Sequence, residues 1–262
     1  MELVVLGTGT VAPSRDRTAP AYWITAGSVR LLLDCGAGAL HRAAAFDIPW
    51  YSVTHVALTH FHPDHWGELP MLLFALRYGI EPARSAPLTL IGPAGLRTRL
   101  TLLAGALGDW VLDPGYPCDV REVEPGATVT LAGDVVLETC KTPHTQESLA
   151  YAVRDGASRL VYTGDTGPSE TLAAWARGCD LLLAECSLPE ERALDIHLTP
   201  AQAGSLARAA HAGRLVLTHF YPPVEGTDPA GQAARAFDGS VVAARDGERF
   251  TVGGPQMSDR GC

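Results

Sequence analysis

Apolar and polar positions alternate along this chain in two rhythms. Short apolar runs bounded by turn residues recur throughout, as in Leu3-Val4-Val5-Leu6, Val56-Ala57-Leu58, Leu181-Leu182-Leu183-Ala184 and Leu215-Val216-Leu217. Such runs read as strands, and the longer stretches between them carry helical spacing. The pattern predicts strands near 2–6, 21–26, 30–34, 55–59, 88–91, 128–132, 134–140, 148–154, 159–163, 180–184, 214–218, 240–243 and 249–252. It predicts helices near 37–45, 67–78, 93–104, 169–177, 200–211 and 229–236. Thr199-Pro200 is a strong helix start, with Thr as N-cap and Pro in the first turn. The strand pairs at 21–34 and 128–140 enclose Gly-containing turns, as hairpins do. Hairpins mixed with crossover helices place the chain in the α/β class. No linker or low-complexity stretch divides it, so one domain is expected over 1–257, followed by a loose tail at 258–262.

Composition supports a folded domain. The chain has 262 residues, enough to bury a large core, and 47% of them are hydrophobic. Net charge is −9, with 19 arginines but a single lysine, Lys141, and no basic run marks a nucleic-acid surface. Acidic charge does not exclude a phosphorylated substrate, because bound cations supply positive charge locally. No stretch approaches the roughly 18 apolar residues of a membrane span. The first residues lack a basic-then-apolar leader pattern. The six cysteines, at 35, 118, 140, 179, 186 and 262, form no CxxC pair. Reduced thiols in a cytoplasmic protein are expected.

The chemistry concentrates in His60-Phe61-His62-Pro63-Asp64-His65, directly after an apolar run. Neutral imidazole and carboxylate are ligands for borderline first-row metals. Six residues cannot wrap all four groups around one ion, so the spacing suggests two. Three more apolar runs end in a potential ligand: His144, Asp165 and His219. Each alone is weak, since a lone histidine is more often structural. Loops at strand ends can nevertheless converge on one dinuclear centre.

These residues resemble the metallo-β-lactamase-fold superfamily of metal-dependent hydrolases, and within it the ribonuclease Z-like and phosphodiesterase-like branch. The likeness also covers Leu6-Gly7-Thr8-Gly9-Thr10 with Pro13 and Arg17, Leu33-Asp34-Cys35-Gly36-Ala37-Gly38, Pro143-His144-Thr145, Gly164-Asp165-Thr166 and Leu217-Thr218-His219. It implies a four-layer αββα sandwich, two mixed sheets with helices outside. By the same resemblance, His60, His62 and His144 hold one metal, Asp64, His65 and His219 hold the other, and Asp165 bridges them. Two divalent ions are implied, Zn²⁺ first, with Mn or Fe as alternatives. A hydroxide shared between them would attack phosphorus or a carbonyl carbon. Asp64 would orient that nucleophile or take its proton, or act as a ligand only. The resemblance also implies that Glu185 orients His197, which would face the scissile phosphate; otherwise the two are a surface pair.

Other residues are open between two roles. Asp34 either supports a ligating histidine or makes a turn. Thr145 and Ser148 either contact phosphate or, for Ser148, begin the next strand. Phe61, Trp66, Phe220 and Tyr221 either line a pocket or pack in the core. His41, His55 and His211 lie outside every motif.

The departures from the branch point to substrate class. Ribonuclease Z carries a long arm for transfer RNA between the third-motif His and the bridging Asp. Here His144 and Asp165 are 21 positions apart, the spacing of a tight hairpin. Asp165 also stands where penicillin-hydrolysing relatives place a Cys. The expectation is therefore hydrolysis of a small phosphodiester, a cyclic nucleotide or cyclic sugar phosphate, with transfer RNA disfavoured and no membrane partner. A lactone or thioester hydrolase using the same centre is the alternative, and a metal-containing binding protein without turnover stands behind it. The resemblance allows a homodimer, though no pattern marks an interface.

Overall fold

The computed structural model describes residues 1–253; the expected tail at 258–262 and the domain limit at 257 lie outside them. Two seven-stranded sheets stack face to face. The first contains β1 (Glu2–Gly7), β2 (Ala21–Ala26), β3 (Val29–Leu33), β4 (His55–Ala57), β5 (Leu88–Gly92), β6 (Cys118–Glu122) and β14 (Arg249–Thr251), in the order β14-β1-β2-β3-β4-β5-β6. The second contains β7 (Thr128–Ala132), β8 (Val135–Lys141), β9 (Leu149–Asp155), β10 (Ser158–Tyr162), β11 (Leu181–Glu185), β12 (Arg214–Thr218) and β13 (Ser240–Ala243), in the order β13-β12-β11-β10-β9-β8-β7. Both sheets are mixed: β3 to β6 and β10 to β13 run parallel, and the remaining pairs antiparallel. The hairpins expected at 21–34 and 128–140 are β2–β3 and β7–β8, turning at Gly27 and Gly133, both with positive φ.

Alternation along each strand divides the side chains between layers. Leu3, Val5, Tyr22, Ile24, Leu31 and Leu33 pack between the sheets against Leu137, Tyr151, Val153, Leu160, Tyr162 and Leu183. Their neighbours Val4, Leu6, Trp23 and Leu32 face outward and meet α1 (Ala39–Ala45), α3 (Leu69–Tyr78) and α4 (Leu96–Leu107). On α3 the buried set is Leu69, Leu72, Leu73 and Leu76, one helical stripe. On the other side Val161, Leu182, Leu215 and Leu217 pack against α5 (Glu170–Trp175), α6 (Pro200–Ala209) and α8 (Pro229–Ala234). Strands buried on both faces explain why they read as continuous apolar runs. α6 begins in a capping box: Thr199 Oγ1 accepts from Gln202 N, and Gln202 Oε1 accepts from Thr199 N.

Three elements differ from the sequence pattern. β6 was not anticipated, because it is an edge strand whose Asp119, Arg121 and Glu122 are exposed and leave no apolar alternation to read. The helix expected at 67–78 is α3, beginning at Leu69, and a separate short helix, α2 (Pro63–Trp66), precedes it; Pro63 and Pro70 each stand in a first turn. The short helix α7 (Pro222–Glu225) follows the last candidate ligand. Among the described residues no helix is long and apolar enough to cross a membrane, and Cys35, Cys118, Cys140, Cys179 and Cys186 are free thiols.

A buried carboxylate ties the β1–β2 loop to the β13–β14 loop. Asp246 accepts from the backbone N–H of Thr8 (2.9 Å) and of Thr18 (2.8 Å) and from both threonine hydroxyls, and it pairs with Arg42 at 3.3 Å. Asp246→Ala strands these donors, and a loss of about 2–3 kcal/mol in urea unfolding is expected. An unchanged midpoint would show that water replaces the carboxylate without cost.

Candidate metal centre

The residues singled out in the sequence gather where strand ends of both sheets meet. Asp34 follows β3, the 60–65 segment follows β4, His144 follows β8, Asp165 follows β10, Glu185 ends β11, and His219 follows β12. Rigid strand ends hold such loops in place. Two of these residues turn sharply off their strands: Asp34 and His219 have φ of 56° and 59°, a region non-glycine residues rarely adopt. Gly164, with φ 58°, brings the Asp165 loop against the opposite sheet, where an added Cβ would lie 2.9 Å from Thr59 Cβ. Pro63 at the start of α2 turns the chain directly after His62, which separates His60 and His62 from Asp64 and His65.

Two separate constellations result, and a third grouping, Asp165 with His197 and His219, overlaps them. His60, His62, His144 and Asp165 form one, and Asp64, His65 and His219 form another. In the first, His60 Nε2 and His144 Nε2 each stand 3.1 Å from His62 Nδ1. In the second, the Nε2 atoms of His65 and His219 are 3.3 Å apart, and Asp64 Oδ2 is 3.6 Å from His219 Nε2. Asp165 divides its oxygens between them. Oδ2 lies 3.8 Å from His60 and 3.6 Å from His144, while Oδ1 lies 3.3 Å from both His65 and His219. Ligands about 2.0–2.1 Å from a tetrahedral ion stand roughly 3.3 Å from one another. These spacings fit that edge.

The outward nitrogens of four rings are fixed. His65 Nδ1 donates to Asp34 Oδ2 at 2.8 Å, and His144 Nδ1 donates to the carbonyl of Ile196 at 3.1 Å. His60 Nδ1 meets Thr59 Oγ1 at 3.0 Å, and His219 Nδ1 meets Ser187 Oγ at 2.8 Å. Partners of this kind fix ring orientation and tautomer. Asp34 is fully buried and also accepts from Thr59 N and from the Tyr162 hydroxyl, both at 2.8 Å. It therefore supports His65 as well as making a turn. Burial pushes the pKa of His60 and of His144 down, so both are neutral and keep a lone pair for a cation. Burial opposes charge on Asp165 too, but the His219 and His65 rings outweigh it and hold the carboxyl well below its usual range.

Glu185 lies beneath this cluster with no exposure. It accepts from His197 Nδ1 at 3.0 Å, from Thr166 N at 2.6 Å, from Leu198 N at 3.2 Å and from the Ser187 hydroxyl. His197 is buried, and its ring stacks on His219 with centroids 6.0 Å apart. Burial lowers the pKa of His197, but the hydrogen bond and charge of Glu185 overcome it, so the imidazole titrates above its ordinary 6.5. These two residues are not a surface pair.

The remaining candidates separate. Phe61 and Phe220 are core residues, each stacked under an arginine: Arg99 over Phe61 at 3.9 Å and Arg17 over Phe220 at 4.5 Å. Tyr221 is half-exposed, 5.9 Å from His219 and 6.3 Å from His197 between ring centroids. Ser148 is buried and bonds within its own loop, accepting from Thr145 N at 3.0 Å and sharing a 2.5 Å contact with Thr145 Oγ1.

The donor set asks for cations. Among the described residues, Asp165 Oδ1 is the buried side-chain oxygen without a hydrogen-bond partner. A carboxylate oxygen in that position normally costs stability unless a partner occupies the space before it. The profile of the β-lactamase superfamily domain matches residues 29–220, a span that contains every residue of both constellations. This chain belongs to that superfamily. It is 30% identical to ribonuclease Z of Mycobacterium bovis, over 96% of this chain and 98% of the relative. The metallo-β-lactamase fold protein YhfI from Bacillus subtilis superposes with a TM-score of 0.81 at 25% identity, covering 95% of this chain and 98% of that one. The short form of human tRNase Z superposes with a TM-score of 0.79 at 23% identity, over 97% and 100% of the two chains. Fold, family and donor set together make the chain a metal-dependent hydrolase with sites for divalent ions.

Sequence reasoning missed Thr59, Tyr162 and Ser187, whose contacts join positions far apart in the chain. Only the Glu185-Cys186-Ser187 spacing, which sets both side chains on one side of an extended segment, hints at the last. Removing the acceptor for His65 tests this outer layer. Asp34→Ala should weaken divalent-metal affinity by about 10–100-fold. Competition with a chromophoric chelator measures it, and wild-type affinity would sink the role given to Asp34.

Proposed function

We propose that this chain hydrolyses small phosphodiesters, such as cyclic nucleotides or cyclic sugar phosphates, at a pair of divalent cations. His60, His62 and His144 hold one cation, and Asp64, His65 and His219 hold the other. Asp165 gives one oxygen to each, and the division of its two oxygens between the constellations is the observation that carries the assignment. Imidazole and carboxylate donors suit Zn²⁺ first, with Mn and Fe within their range. When bound, the two cations supply an acidified water and positive charge for the phosphoryl oxygens.

The chain's own residues direct the reaction. Burial raises the pKa of Asp64, but the hydrogen bond from His219 and the charges of His65 and His219 together outweigh it and keep the carboxyl ionised. Asp64 is thus placed to orient the attacking water or accept its proton. Glu185 keeps Nδ1 of His197 protonated, which leaves Nε2 as the nitrogen that meets substrate. An imidazolium there stabilises a phosphoryl oxygen or protonates the leaving oxygen. A thioester expels a thiolate that leaves without an acid, so this pair favours phosphodiesters over thioesters; a lactone expels an alkoxide too, and against lactones the pair counts through the positive charge it sets beside an anionic phosphoryl oxygen.

Size of substrate rests on other observations. The stretch from His144 to Asp165 consists of a short loop, β9, a two-residue turn and β10, with no inserted arm. The segment from 63 to 141 is occupied by helices and strands of the sandwich. The alignment with the M. bovis relative spans 279 residues, more than this whole chain, so the relative has positions without a counterpart here. The charge of −9 also disfavours a long polyanion. RNA is the second reading, and the name ribonuclease Z carried by that relative favours it.

Protein loaded separately with Zn²⁺ and Mn²⁺ should cleave bis(p-nitrophenyl) phosphate faster than lactones, thioesters or precursor transfer RNA. His197→Ala should keep both ions and slow hydrolysis of a cyclic nucleotide, whose leaving group is a poor alkoxide, by about 10²–10⁴-fold. An unchanged rate removes His197 from the reaction, and efficient cleavage of precursor transfer RNA would put the RNA reading first. Acidity at His197 also sets a pH limit. Its charged form is lost as pH rises through a pKa above 6.5, so kcat should fall on that limb. Glu185→Gln removes the charge that raises this pKa while leaving the burial that lowers it, and the limb should move to lower pH. A limb that stays in place assigns the acid elsewhere.

A further inference from the structure

Lys141 ends β8, three residues before His144. It is the one lysine in a chain that otherwise uses arginine at 19 positions. Its ammonium makes no ion pair among the described residues. Instead Nζ donates to the carbonyls of Thr142 (2.7 Å), Thr145 (2.6 Å) and Ser148 (3.3 Å). An ammonium has three N–H donors, so its capacity is spent on the loop that carries His144. Two of those carbonyls serve the loop backbone as well: Thr142 O accepts from His144 N at 3.0 Å, and Ser148 O accepts from Thr142 N at 3.2 Å. Carbonyl dipoles that converge on one point repel unless a cation stands among them. A compact ammonium with rotatable donors fits that point, whereas a planar guanidinium directs its donors outward in a fixed fork.

From outside, the same loop is tied at Pro143 O, which accepts from Gly167 N at 3.0 Å, and at the His144 ring, which donates to Ile196 O. Lys141 is the internal brace opposite these ties. We propose that Lys141 is a positioning residue: by gathering the carbonyls of Thr142, Thr145 and Ser148, it sets the loop that presents His144 to the His60–His62 half of the centre. The inference rests on the ligand role proposed above for His144.

Two measurements separate the brace from the ligand role. In metal-free protein, amide hydrogen exchange at 142–148 reads the loop alone. Lys141→Met should speed it by about tenfold or more, with the amides of β9 and β11 unchanged. In protein titrated with Co²⁺, chelator competition and the visible d–d spectrum read each half of the centre. Lys141→Met and Lys141→Arg should weaken one of the two ions by about 10–100-fold and leave the other near wild type. Lys141 lines a cleft of about 380 Å³ with Arg99, Glu147 and Leu149, so a small amine can reach the vacated position. Methylammonium should restore Co²⁺ affinity to Lys141→Ala, and guanidinium should not. That rescue would not occur if the lysine only stabilised the fold. Wild-type exchange in Lys141→Met, or wild-type Co²⁺ affinity in both Lys141→Met and Lys141→Arg, overturns the proposal. A wild-type chain that binds a single Co²⁺ would overturn the dinuclear reading instead, and the exchange data would still decide whether Lys141 braces the loop.

Discussion

A carboxylate shut away from water must be met by donors or by cations, and three such groups govern the centre of this molecule. Asp34, Asp165 and Glu185 sit at the meeting of the two sheets, each at the end of a strand. Asp34 collects donors from β4's loop and from β10. Glu185 collects them from the loops of Asp165, Ser187 and His197. Each thereby joins segments that lie far apart along the chain. Asp165 differs, because its inner oxygen finds imidazole nitrogens at 3.3 Å and no hydrogen bond. Two carboxylates satisfied by the protein hold a third that is not, and this asymmetry distinguishes a site from a structural network.

The rings follow from that arrangement. An imidazole fixed at one nitrogen presents the other in a set direction. Four of the five candidate ligating histidines are fixed in this way, by a carboxylate, a carbonyl and two hydroxyls. Cations elsewhere in the chain are used similarly. Arg84 donates to the carbonyls of Tyr51, Val53, Ala86 and Pro87, and Arg17 donates to Thr8 Oγ1 and the Ala244 carbonyl while stacking on Phe220. These charges serve as internal fasteners.

Most of the fold could be read from the chain because its strands are buried on both faces and announce themselves as apolar runs. The same property exposed the site: His144, Asp165 and His219 are conspicuous because each interrupts such a run, and four polar groups in one six-residue segment have few structural uses. What stayed hidden depends on distance along the chain. Tyr162 reaches Asp34 across 128 positions, and Asp246 reaches Thr8 across 238. No local spacing encodes such pairs. β6 was invisible for a different reason, since an exposed edge strand has no buried face to impose a pattern. The lone lysine was plain in the composition, but its partners are backbone carbonyls, which every sequence offers equally.

The position of the centre on the seam between the sheets has a further consequence. Asp34, His60, His62, Asp64 and His65 ride on one sheet, and His144, Asp165, Glu185 and His219 on the other. A slip of one residue along a strand is about 3.3 Å, comparable to the whole spacing between donors here. The cluster thus works as a vernier on the docking of the two halves: it closes only at one alignment. A chain whose sheets meet out of step is left inert rather than wrongly reactive, so the capacity for chemistry itself certifies that assembly has finished.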